Sequence, residues 1–137
     1  YGSDRIAFEP LASFTPDGSF GLAFCNGVFH HIPVAERPAC VALVRDALRP
    51  GGLFAFWENN PHNPGTRWVM RRVAFDRDAV MLRAREARRL LERSGFEILG
   101  TDFLFVFPRV LRSLRPLEPM LSRLPLGGQY LVLARRP

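Results

Sequence analysis

Phe20-Gly21-Leu22-Ala23-Phe24-Cys25-Asn26-Gly27 and Leu53-Phe54-Ala55-Phe56-Trp57-Glu58 are the two stretches on which the fold turns. Each is a nearly continuous apolar run, the pattern of a strand covered on both faces in a parallel sheet. Between them Val41, Val44 and Leu48 recur at helical spacing, flanked by Cys40, Leu43 and Ala47. Pro38 suits the first turn of that helix, where its missing N–H is no loss. Arg49-Pro50-Gly51-Gly52 stops it. A strand, helix, strand unit with short connections is a right-handed crossover in a parallel sheet. The class is therefore α/β, with the first of these strands predicted to be central.

Working outward, Pro16-Asp17-Gly18-Ser19 is a turn that delivers the chain into the first strand, because Pro sets φ and Gly tolerates the left-handed region. Upstream, Arg5-Ile6-Ala7-Phe8 reads as a short strand. Val28 to Pro33 forms a loop or short turn before the helix. Downstream, Asn59 to Gly65 is a loop rich in turn formers, followed by a helix from Thr66 to about Val73. A helix over Ala84 to Ser94 turns Ala87, Leu90 and Leu91 inward and ends at Gly95. Phe96 to Phe107 reads as a strand. Pro108 to Leu124 carries a helical stripe broken by Pro116 and Pro119, and Gln129 to Ala134 is a last strand.

With 137 residues, 47% of them hydrophobic and 23% charged, the chain has the composition of one ordinary globular domain. No apolar stretch approaches the roughly 20 residues of a membrane span, and no basic-then-apolar leader opens the sequence, which reads as cytoplasmic with no membrane partner. The first residue is Tyr1 rather than Met, as in an excised piece of a longer chain. The net charge of +6 comes from nineteen basic residues that are all Arg, a uniformity that points to codon preference and away from a nucleic-acid surface. Arg83, Arg85, Arg88, Arg89 and Arg93 alternate with Glu86 and Glu92 as on a solvated helix face. Cys25 and Cys40 are too far apart for a redox pair. His30 and His31 are adjacent, so neither a helix nor a strand aims both at one ion, and His62 has no partner at ligand spacing; no metal site is expected.

In open α/β sheets the ligand sits beyond the carboxyl ends of the parallel strands. Two such ends are visible: Cys25-Asn26-Gly27, where Gly27 lets a ligand or backbone approach closely, and Glu58-Asn59-Asn60. Taken singly, Gly27 fits a plain turn better, and Glu58 a solvated loop carboxylate.

Taken together, Pro16-Asp17-Gly18-Ser19-Phe20, then Asn26-Gly27-Val28-Phe29-His30-His31-Ile32, then Leu48-Arg49-Pro50-Gly51-Gly52-Leu53 resemble, in order and spacing, the fourth and fifth strand motifs of class I S-adenosylmethionine-dependent methyltransferases. The Asn60-Pro61 and Asn63-Pro64 loop and the closing Leu124-Pro125-Leu126-Gly127-Gly128-Gln129-Tyr130-Leu131-Val132 look like a bacterial small-molecule subgroup of that family. The resemblance implies a partial Rossmann-like sheet, mostly parallel, with an antiparallel C-terminal strand beside the fifth strand and helices packed on it. It implies S-adenosylmethionine as cofactor, with Cys25, Asn26 and Gly27 bordering its methionine end through backbone, and a small organic molecule as acceptor. His30 would lie over the cofactor, while Phe29, Asn59 and Asn60 would stand at the acceptor pocket with Glu58. Where the acceptor is a hydroxyl, His30 or Glu58 would take its proton. A packing or capping role accounts for His30 equally well.

The departures from the family pattern are as informative. The Gly-rich first loop and the acid closing the second strand are lacking, only Glu9 stands near the adenine-side Asp of the third strand, and Gly21 replaces a common Asp. Residues 1–137 therefore read as a single C-terminal part of a methyltransferase domain, its N-terminal cofactor-loop half missing. The strand over 20–25 would then carry a free edge. Weak cofactor binding by this piece alone follows, with activity belonging to the full-length parent. A non-catalytic interaction module, pairing that edge with a partner strand, is the alternative. An oxidoreductase is disfavoured because no dinucleotide fingerprint occurs.

Overall fold

A computed structural model describes residues 6–137. Four strands form one sheet: β1 Phe20–Asn26, β2 Leu48–Asn59, β3 Glu97–Leu104 and β4 Gln129–Arg135. Their spatial order is β1-β2-β4-β3. β1 and β2 pair in parallel, and β4 runs antiparallel to both β2 and β3, so three strands share one direction and the last reverses between two of them. The α/β class is as the residue pattern predicts, and the reversed last strand beside β2 is as the family resemblance implies.

Helix α1, Arg37–Ala47, makes the crossover from β1 to β2 with Pro38 in its first turn. α2 covers Pro64–Met70, α3 Ala84–Arg93 and α4 Glu118–Leu121. The core lies on one face of the sheet. Phe54 and Phe56 of β2 and Tyr130, Val132 and Ala134 of β4 pack there against Val41 of α1, Ala87 and Leu91 of α3, and Phe29, Leu82 and Phe96. These side chains, nearly all fully buried, carry most of the apolar stabilisation, on the order of 1.5–3 kcal/mol for each of the larger ones.

Several predicted elements shift. β1 is covered on one face only. The register Ala23↔Phe54 and Cys25↔Phe56 turns Ala23 and Cys25 toward the core, whereas Leu22↔Leu53 and Phe24↔Ala55 turn the alternate residues to the opposite face. There Phe20, Leu22 and Phe24 remain 48–60% exposed, and β1 is an edge strand of the described sheet instead of a central one. The predicted upstream strand is reduced to a single bridge residue at Ile6; Ala7 and Phe8 are exposed coil, and Arg5 falls outside the described residues. The segment that stops α1 is itself the start of β2, because Gly51 takes φ +77° and a register irregularity between Phe20 and Leu22 absorbs the turn. α2 begins two residues before Thr66, where the Asn63 side chain accepts the Thr66 N–H, and ends short of Val73. β3 ends at Leu104 instead of Phe107, since Phe105 adopts φ +59°. Residues 109–121 are a broken helix, as Pro116 and Pro119 predict: a 3-10 stretch Arg109–Leu117 kinked at Leu111, then α4. No helix among the described residues is long and apolar enough to cross a membrane.

Candidate active site

The carboxyl ends of β1 and β2 lie side by side. Asn26 pairs with Trp57, and the Gly27 N–H donates to the Trp57 carbonyl at 2.9 Å. Gly27, at φ +64°, turns the chain out of the sheet into a 3-10 turn, Phe29–His31. Cys25, Asn26, Gly27, Glu58 and Asn59 are thus brought to one rim, the placement on which the sequence reading depends.

Glu58 organises this corner. Its side chain is 1% exposed, yet each oxygen is satisfied: Oε1 accepts the Phe29 N–H at 2.6 Å, and Oε2 accepts from His30 Nδ1 at 2.6 Å and from the Asn59 N–H at 3.3 Å. A carboxylate buried without such partners would be prohibitively costly. His30 is also buried. Burial opposes a charge on its ring, but the hydrogen bond and charge of Glu58, joined by Asp76, outweigh it and raise the His30 pKa above that of a free imidazole. Phe29 is buried against Phe56, with ring centroids 4.7 Å apart, so it packs in the core beneath the rim. Burial pushes the Cys25 thiol up to about 12, which disfavours its thiolate.

Asn60 is fully buried. Its Nδ2 donates to the Pro125 and Gly127 carbonyls and its Oδ1 accepts the His62 N–H, tying the loop after β2 to the approach of β4. Asn59 is half-buried, and its Oδ1 accepts from Gln129 Nε2, whose Oε1 in turn accepts the Trp57 indole N–H. Asn59 and Gln129 line a mainly apolar cleft of about 550 Å³ together with Trp68, Met70, Phe105 and Asp76. The cleft and the Glu58–His30 pair therefore meet at the same end of the sheet, with Asp76 belonging to both.

Two features of the corner escape the sequence reading. The expectation that His30 and His31 diverge is overturned: the tight turn brings their ring centroids to 4.1 Å, and both Nε2 atoms face Asp76 Oδ1, at 3.5 and 3.3 Å. Asp76 sits in a 3-10 turn, Ala74–Asp76, far along the chain and with no motif around it. Arg37 is the second omission: its buried guanidinium donates to the carbonyls of Ile32 and Val80, while the Val80 N–H donates to the His30 carbonyl. This strap holds the segment before α3 against the turn.

The parallel β1–α1–β2 crossover and the antiparallel last strand beside β2 give this chain part of the fold of class I S-adenosylmethionine-dependent methyltransferases. The "Methyltransferase domain" family matches over residues 8–56, which takes in β1, α1 and most of β2. Among solved structures, a methyltransferase from Archaeoglobus fulgidus superposes with a TM-score of 0.65 at 14% identity, over 88% of this chain and 61% of that one. One from Mesorhizobium loti gives 0.60 at 22% identity, over 88% and 64%. The 1,6-didemethyltoxoflavin-N1-methyltransferase of Burkholderia thailandensis, solved with S-adenosylhomocysteine, gives 0.62 at 18% identity, over 93% and 48%. The chain thus spans about three fifths of the length of the first of these structures. No curated protein sequence matches it.

Proposed function

We propose that the chain is the acceptor-side part of an enzyme that transfers a methyl group from S-adenosylmethionine to a small organic molecule. The observation that carries this reading is the shared rim of β1 and β2, with Cys25-Asn26-Gly27 facing Glu58-Asn59 across a parallel pair. The residues present suit one flank of the cofactor: Gly27 at positive φ leaves an open backbone corner, and Asn26 beside it is exposed. Cys25, Asn26 and Gly27 would border the methionine end there. S-adenosylmethionine supplies an activated methyl group, and the protein chiefly has to align the acceptor with it. The cleft of Asn59 and Gln129 would hold that acceptor, its apolar walls suiting an apolar or aromatic molecule oriented by the two amides.

His30 and Glu58 enter this reading as a positioning pair. Both oxygens of Glu58 and Nδ1 of His30 are committed, so together they fix the corner from Gly27 to His31 against the end of β2. Asn60 does the same for the loop after β2, tying it to the approach of β4, and Phe29 supports the corner from the core side.

Among the described residues β1 lies at an edge of the sheet with Phe20, Leu22 and Phe24 exposed, as expected where further strands and helices cover it in a complete domain. That same edge favours the second reading, an interaction module that pairs β1 with a partner strand. The deciding experiment extends the coding region upstream of Tyr1 and screens the longer protein by mass spectrometry for methylation of small acceptors. Methyl transfer is the expected result. An extended protein that neither binds S-adenosylmethionine nor methylates any acceptor, while its edge captures a partner strand, would establish the module instead.

A further inference from the structure

We infer that His30, His31 and Asp76 form a site for a single divalent transition-metal ion of the zinc class. The two ring nitrogens and the carboxylate oxygen that would bind it all lie within 4.8 Å of one another. Their spacing separates an ion site from an ordinary ion pair. Charge-assisted hydrogen bonds between an imidazole and a carboxylate fall near 2.7–2.9 Å, roughly what the corner makes of His30 and Glu58 at 2.6 Å. The contacts of Asp76 with the same ring and with His31 are longer, 3.5 and 3.3 Å, well outside that range. A tetrahedral ion with bonds of about 2.0–2.2 Å to nitrogen and oxygen sets its ligands roughly 3.3–3.5 Å apart. The trio already has that edge length on its two imidazole–carboxylate sides.

The surroundings supply what such a site needs beyond its ligands. His30 binds through Nε2 only if Nδ1 is held by another group, and the buried Glu58 carboxylate holds it, the carboxylate–histidine–metal arrangement that fixes tautomer and ring orientation. Phe75 lies 4.3 Å from the His31 ring, centroid to centroid, and limits its rotation. Entry is from the side of Asp76 and His31, which are partly exposed at 16 and 25% while His30 forms the floor. Three protein ligands leave one position open. Asp76 also lines the Asn59–Gln129 cleft, so a nitrogen or oxygen donor of a molecule in that cleft is placed to take it. The inference does not depend on methyl transfer, because ion binding is read on the chain itself.

The test is calorimetric titration of the chelator-treated 137-residue chain with Zn²⁺, followed by Co²⁺ substitution and visible absorption. One ion per chain and a tetrahedral cobalt spectrum are expected. His31→Ala and Asp76→Asn should each weaken binding at least tenfold, and Glu58→Gln by roughly 10–100-fold through the His30 ring. His62→Ala, exposed and remote in sequence from the trio, should leave it unchanged. Circular dichroism confirms that each variant folds; Asp76→Asn keeps the side-chain shape and decides the matter if His31→Ala does not. Absence of binding, or one-to-one binding that survives both His31→Ala and Asp76→Asn, overturns the site and in the second case assigns the ion to other groups such as the two thiols.

Discussion

β1 and β2 have nearly the same sequence signature and lie side by side in parallel, yet their environments differ. β2 is flanked by a strand on each side, and its residues alternate between fully buried and half-buried along Leu53 to Asn59. Among the described strands β1 has a neighbour on one side only, and Phe20, Leu22 and Phe24 point away from the helices. An apolar run therefore reports that a strand is suited to burial on both faces. Whether it is so buried depends on what packs above it, which no local pattern encodes.

The contrast can be broken most forcefully in β2. Phe56→Ala should cost about 3–5 kcal/mol in urea unfolding, since the residue is fully buried and touches both Phe29 and Phe54. Glu58→Ala should cost about 3–4 kcal/mol by leaving His30 and the Phe29 N–H without their buried partner. This loss carries a pH signature in chelator-containing buffer. The folded-state pKa of His30 is raised above the unfolded value of about 6.5. The stability from its protonation is fully present below about pH 6.5 and disappears as pH climbs through the raised folded value, so the gap between wild type and Glu58→Ala should narrow there. A gap that stays constant across that range would show that the imidazole charge contributes nothing. Asn60→Ala should cost about 1–3 kcal/mol, because two carbonyls lose their donor. On β1, Phe24→Ser should change stability by no more than about 0.5 kcal/mol and reduce self-association measured by light scattering. A large loss at Phe24 would mean that β1 is covered in solution and would erase the contrast.

Much of the architecture was legible because its signals are local. Val41 and Val44 set the crossover helix, although Leu48 of the same stripe opens β2, Gly18, Gly27 and Gly95 all take the positive φ that their turns require, and Ala87 with Leu91 marks the inner face of α3. The rim was legible too, since strand ends follow from strands. What lay beyond the sequence depends on distant partners. Asn60 reads as a loop residue until Gly127 arrives to take its amide, and Asp76 carries no motif at all. In a helix or a strand, adjacent residues such as His30 and His31 point apart. A 3-10 turn is neither, and it let adjacent rings converge on one carboxylate.

β4 comes after β2 and β3 in the chain but lies between them, with both of its edges hydrogen-bonded. During synthesis, β2 and β3 thus wait with a gap one strand wide, and Tyr130 and Val132 reach the core only when β4 has left the ribosome. Closure of the sheet is a late, long-range event, and such pairing is slow because the entropy of a large loop must be lost first. A nascent chain stalled before Gln129 should remain an open, protease-sensitive half-sheet, however well its earlier helix has formed.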